Sequence, residues 1–190
     1  MLVHGATTDD EVYCQFLRNE RDRLRGDPKE GQLAALVSRP DFNDINQNAA
    51  RRRFLFSVRW PLLAQLPDPL QWHSATMEQG DLEKLRLIRN CGWDDRAPDN
   101  ILGEVRFPMN FDLSGQEKIT AILQKITTAP DFDKTLVLVA QTTDGPFTIL
   151  DGNHRATAMM VAERSGKFTE VNVKAYVGVS PRMNICIWCS

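Results

Sequence analysis

Five consecutive residues, Asp151-Gly152-Asn153-His154-Arg155, combine side chains suited to handling phosphate. They follow an apolar run over 147–150 and precede an Ala- and Met-rich stretch stopped at Gly166, which places them between a strand and a helix. Gly152 admits a positive φ or the close approach of a ligand to the backbone. The first amides of the following helix have no intrahelical partner, and the positive end of the helix dipole lies behind them. That combination is an anion site. The dipole alone contributes about 0.3–1 kcal/mol at an exposed site, so charged side chains must assist it. Arg155 offers a guanidinium able to grip phosphate oxygens with two parallel bonds. His154 adds a group that donates to phosphate or moves a proton. Each residue also has an ordinary structural use: Asp151 as a cap, Asn153 as a turn residue, His154 as a half-buried ring and Arg155 as an ion-pair partner. Their clustering at one junction favours function.

Other chemistries lack their residues. Gly152-Asn153-His154 also occurs in metallophosphoesterases, but His4, His73 and His154 are the only histidines, too few for a two-metal centre. No metal-ligand set is assigned. A G-x-x-x-x-G-K-[ST] loop and a G-x-S-x-G elbow are both absent. Cys186-Ile-Trp-Cys189 has C-x-x-C spacing, but a structural zinc needs a second pair and a redox motif normally opens a helix after a strand. It reads as a tail strand with incidental thiols.

The junction requires elements that hold it. In the first half Thr8-Asp-Asp-Glu11 forms a capping-box pattern, with Val12, Phe16 and Leu17 at helical spacing and a stop at Gly26-Asp27-Pro28. Further helices are expected over 30–38 and 47–60, the latter ended by Pro61, then a strand over 70–77 and a helix over 81–90. The polar stretch 94–100 reads as the boundary between two halves. Beyond it the spacing predicts a strand over 101–107, a helix over 116–127, strands over 136–141 and 147–150 joined at Asp144-Gly145, a helix over 155–164 and a strand over 171–179. The order β-α-β-β-α-β is that of an α+β domain with both helices on one side of a mixed sheet.

The segment Asp151-Gly-Asn-His-Arg-Ala-Thr-Ala158 resembles the signature of the ParB-like and sulfiredoxin-like superfamily. Gly152, Arg155 and Ala158 match its G-x-x-R-x-x-A pattern, and Gly152, His154 and Arg155 match G-C-H-R, with Asn153 in place of the cysteine. The resemblance covers residues 98 to 180. It implies a ParB/sulfiredoxin-like nucleotide- or phosphate-binding domain over 98–190, preceded by a mainly helical region over 1–97 that lies outside the resemblance. The family includes partition CTPases, sulfinic-acid reductases, a free-serine kinase and proteins called nucleases. Lys118 resembles a phosphate-contacting lysine of sulfiredoxins, Asp151 matches an aspartate of the serine kinases, and Glu104 on the first strand is the candidate base or metal-orienting carboxylate. Asn153 argues against sulfiredoxin chemistry, and the lack of a basic helix-turn-helix region after residue 180 argues against DNA partition.

The expected function is therefore nucleotide-dependent phosphoryl transfer or hydrolysis. Gly152, Asn153, His154, Arg155 and Lys118 would hold ATP or ADP, with Mg²⁺ as an optional companion, and Asp151, His154 and Glu104 would act in catalysis. A non-catalytic nucleotide- or anion-binding regulatory or interaction module is the alternative, and a nuclease the second alternative. Bulk properties fit a cytoplasmic protein acting on a small molecule or nucleotide. A net charge of −2 argues against an extended nucleic-acid face. Arg51-Arg52-Arg53 reads as a solvated helix face. No apolar run is long enough to span a membrane, and Met1-Leu2-Val3-His4-Gly5 does not begin a secretory signal.

Overall fold

A computed structural model describes residues 1–21, 23–168 and 173–189. The fold is α+β, built on one open mixed sheet of five strands, with five α-helices among the described residues. The strands are β1 (Leu2–Ala6), β2 (Gln71–Met77), β3 (Leu136–Ala140), β4 (Thr148–Asp151) and β5 (Val173–Val179), in the order β1-β2-β5-β3-β4. The β3–β5 pair is parallel and the other three are antiparallel. The sheet takes two strands from before residue 97 and three from after it, so both halves of the chain share it. Val171, the expected start of the last strand, lies outside the described residues.

Helix α1 (Asp9–Asn19) begins as its capping box dictates: the Thr8 hydroxyl accepts from the Glu11 amide, and the Glu11 carboxylate accepts from the Thr8 amide at 3.0 Å. Helix α2 (Glu30–Val37) follows. Helix α3 (Ile45–Leu63) is capped by Asp44, which accepts from the amides of Asn46 and Gln47 at 2.8 and 3.2 Å. It runs past the expected stop at Pro61 but breaks at Arg59 (φ −131°, ψ 15°). Proline has no amide to donate, and its ring crowds the carbonyl four residues earlier, so the helix bends just ahead of it.

Helix α4 (Leu113–Thr128) starts at Asp112, whose Oδ1 accepts from the Gly115 amide at 2.7 Å, and packs against α5 (Asn153–Arg164). β3 is buried at all five positions, and α1 packs against it. Both faces at the centre of the sheet are therefore covered.

Three further expectations are overturned. Residues 81–90 hold only a 3-10 turn at Leu82–Lys84 rather than a helix, and then run extended. The Arg86 amide donates to Phe147 O at 2.9 Å, and its carbonyl accepts from the Ile149 amide at 2.8 Å. This segment thus satisfies the free edge of β4, a tertiary demand stronger than the local helical spacing. The strand expected over 101–107 shrinks to a bridge at Ile101 followed by a 3-10 turn, Leu102–Glu104. The tail strand at Cys186-Ile-Trp-Cys189 is a hydrogen-bonded turn after the 3-10 turn Met183–Ile185.

The arginine run is a solvated face at Arg52 and Arg53 but not at Arg51. Arg51 is fully buried. It donates to Gln47 and Asn48 side chains and to the carbonyls of Leu36 and Asp41, beside the Phe42 ring. Four main-chain and amide acceptors take the place of a carboxylate. Arg52 pairs with Asp10 at 2.9 Å.

Candidate functional site

The β4 strand is buried to its last residue and delivers the chain to Gly152, the N-cap of α5 at φ +101°. A Cβ there would lie 2.7 Å from Leu136 Cδ2, so both conformation and space require glycine. Asn153 anchors the first turn. Its Oδ1 accepts from the Ile88 amide and its Nδ2 donates to Ile149 O, each at 3.3 Å, tying the helix start to the segment that covers β4. Thr157 Oγ1 donates to Asn153 O at 2.9 Å. No side chain caps the N-terminus of α5, which leaves its first amides for a ligand.

His154 stands edge-on to the Trp93 ring at 4.8 Å, and its ring makes no hydrogen bond to another described residue. Burial, assisted by the positive charges of Lys118 and Arg96, pulls its pKa down to about 4, against the opposing influence of Asp112 and Asp151. The imidazole is therefore neutral near pH 7, with one nitrogen to donate and one to accept. Lys118 is exposed on α4, and its charge acts on His154. Arg96 lies over the Phe111 ring at 5.0 Å and donates to Gly92 O at 3.3 Å and to Asn110 O. Trp93 completes the wall, 5.8 Å from Phe111.

Asp151 faces the first half of the chain. Its Oδ2 accepts from Asn19 Nδ2 at 2.6 Å, and its Oδ1 lies 3.3 Å from Arg59 Nη2. Arg59 also donates through Nε to Glu20 Oε1 at 2.6 Å, and Glu20, 1% exposed, pairs with Arg23 at 2.5 Å. The bend in α3 thus presents the guanidinium that joins α1, α3 and the end of β4.

Arg155 donates to Thr135 O. Its charge also acts on Asp133. Burial alone would raise that carboxyl, but hydrogen bonds from Gln15 and Thr135, together with Arg155, hold it below its ordinary value. Arg155 is engaged in bracing the loop before β3.

Glu104 is not brought to this cluster. Its 3-10 turn lines a cavity of about 630 Å³ with Pro98, Val105, Arg106 and Arg164, and none of residues 151–155 lines it. Arg164, which donates to Gly103 O, is the last residue of α5, so Glu104 sits by the end of that helix rather than its start.

The structure adds Trp93, Arg96 and Asp112 on one side of the motif and Asn19 and Arg59 on the other. The signal for Arg96 was present: a loop rich in polar residues is where binding groups gather, although 94–100 reads equally well as a linker. Arg59 carried no signal, because its role depends on a bend and on contact with a strand far along the chain.

Among the described residues, no helix is long and apolar enough to cross a membrane, and no group of three His, Cys, Asp or Glu side chains could hold a metal ion. No family model, curated protein or solved structure matches the chain.

Proposed function

We propose that this chain binds the phosphate groups of a nucleotide, ATP or ADP, at the start of α5 and transfers or hydrolyses a phosphoryl group there. One observation carries the reading: a neutral His154, whose ring makes no hydrogen bond to the described residues, feels two cationic side chains at an uncapped helix N-terminus. The amides after Gly152, with Lys118 and Arg96, offset phosphate charge. Phosphoryl transfer is mostly positioning and charge stabilisation, so few residues suffice. With an anionic phosphate beside it, which favours the imidazolium, His154 accepts the proton of an attacking hydroxyl or water as its oxygen bonds to phosphorus, and the nucleotide leaves with the electron pair of the broken P–O bond. Asp151, committed to Asn19 and Arg59, orients the junction rather than acting as a base. The motif resembles the ParB-like and sulfiredoxin-like superfamily, which makes free serine one acceptor to test. Mg²⁺ would be held mainly by the nucleotide phosphates, since Asp151 is ion-paired and Asp112 Oδ1 caps α4.

The test is phosphate release from ATP, ADP, CTP and GTP with Mg²⁺, with and without free serine. Turnover that disappears in His154→Gln supports the reading, and no turnover with any nucleotide overturns catalysis. Calorimetry then addresses a second reading, a nucleotide-sensing module. The contact of Asp151 with α1 and α3 favours it, because a ligand beside Gly152 would bear on the helical first half. Binding without turnover selects this second reading.

A further inference from the structure

Cys186 and Cys189 take no part in the site above. The Cys189 amide donates to Cys186 O at 2.9 Å, closing a turn. Such turns hold the first and fourth Cα atoms within about 7 Å. Disulfides span Cα separations of about 4.4–6.8 Å, so the backbone is already shaped for one. Both residues are free thiols, and they share a hydrogen bond. Cys186 Sγ also lies 3.4 Å from Gln65 O, and the Cys189 thiol meets the Thr148 side chain at the start of β4, with the charge of Arg86 nearby.

The two sulfurs have different electrostatic surroundings. The hydrogen bond from Cys189 brings Cys186 down to about 7, against the effect of burial and with help from the Trp188 amide. The same hydrogen bond, then burial, pushes Cys189 up. The other two cysteines lack such a partner: burial raises both Cys14 and Cys91. Cys186 is 3% exposed, which restricts it to oxidants of about the size of water.

We propose that Cys186 and Cys189 form a redox-reactive dithiol that hydrogen peroxide closes to an intramolecular disulfide. The Cys186 thiolate attacks one peroxide oxygen, the O–O bond breaks, and the departing hydroxide takes a proton to become water. This leaves a sulfenic acid on Cys186. The Cys189 sulfur then attacks the Cys186 sulfur, its proton leaves with the hydroxyl as a second water, and the S–S bond forms. Two thiols are oxidised by two electrons, and one peroxide is reduced to two waters. A dithiol reductant reverses the change by thiol–disulfide exchange.

The turn is also tied to the neighbourhood of the nucleotide site. Arg89 N donates to Trp188 O at 3.1 Å, Asn90 Nδ2 to Ile187 O at 2.6 Å, and Trp188 Nε1 to Leu62 O at 2.9 Å. The dithiol turn is therefore held against α3 and the loop that leads to Trp93.

The native full-length protein is treated with limiting hydrogen peroxide, the peroxide is removed, the remaining thiols are alkylated on unfolding, and the peptides are read by mass spectrometry. The expected product has lost two hydrogens, with Cys186 joined to Cys189 while Cys14 and Cys91 still take the alkylating reagent. Dithiothreitol restores all four thiols. In Cys189→Ser, unfolding in dimedone after the peroxide is removed traps a sulfenic acid on Cys186, whereas Cys186→Ser gives no adduct at 189. Oxidation of Cys91 before the pair closes, or no 186–189 link in the wild-type chain, overturns the proposal. The wild-type readout stands whether or not the variants fold, and it is independent of nucleotide binding.

Discussion

His154 ties the chemistry of the site to measurable stability. Its ordinary pKa of 6.5 falls to about 4 in the fold. Between those values the unfolded chain binds a proton that the folded chain does not, so unfolding gains as acid is added. The contribution is fully present above about pH 6.5 and is lost as pH falls towards 4. Allowing for the solvent-facing edge of the ring, it amounts to about 2 kcal/mol. Urea midpoints at pH 7.5 and 4.5 should therefore diverge more for the wild-type chain than for His154→Gln, and equal losses would remove the assigned cause. A second comparison separates two cations of the motif region. Arg155 is committed to a main-chain carbonyl, so Arg155→Ala should cost about 1.5–3 kcal/mol of stability, the range for a hydrogen bond to a charged group. Exposed Lys118 should behave oppositely: Lys118→Ala should weaken nucleotide binding about 5- to 10-fold, roughly 1 kcal/mol, without moving the melting temperature. The reverse pattern would return the phosphate grip to Arg155. The identity of the motif residues is legible in the chain, but the direction in which Arg155 points is not, because Thr135 reaches it only through the pairing of β3 with β4.

Among the elements, those defined by local chemistry were legible. The capping box at Thr8 and Glu11 and the apolar spacing of Val12, Phe16 and Leu17 specify α1 without help from the rest of the chain. Ile119 and Ile126 likewise mark the buried face of α4. Residues 81–90 behave differently. Leu82, Leu85 and Ile88 are all buried, as a helix would bury them, yet residues 85–88 run extended because the β4 edge needs a partner. A period shared by two structures is settled by whichever backbone groups would otherwise stay unpaired. The bend in α3 belongs to this scale too. Arg59→Met should destabilise the chain by about 3 kcal/mol, since it leaves buried Glu20 with one cation fewer and Asp151 with Asn19 alone. Chemical denaturation measures that cost, and a loss below about 0.5 kcal/mol would mean that Arg59 pairs as a surface residue does. Gly152→Ala should cost about 1–3 kcal/mol from the strained φ and the crowding against Leu136.

Across the whole molecule, the sheet joins the two halves. β2 pairs with β5 in unbroken register from Gln71–Val179 to Met77–Val173, and β1 lies outside β2. A fragment of residues 98–190 would expose the β2-facing edge of β5, and it would lose α1 from β3 and Asn19 and Arg59 from Asp151. It should therefore lack the near-ultraviolet circular dichroism and cooperative melting of the full chain. A cooperative, native-like fragment would show that the strands from the first half are additions to a self-sufficient domain.

The sequence by itself determined the strand–turn–helix junction at Gly152, the starts of α1 and α2 and the α+β character. These rest on interactions within a few residues: caps, turns and periodicity. Tertiary structure alone decided that Asp151 is held by α1 and α3, that His154 is neutral beside Trp93, Lys118 and Arg96, and that Glu104 stands elsewhere. Desolvation, edge pairing and ion pairing are long-range effects, set by which parts of the chain meet, and the strand order that brings them together is not written in any local window.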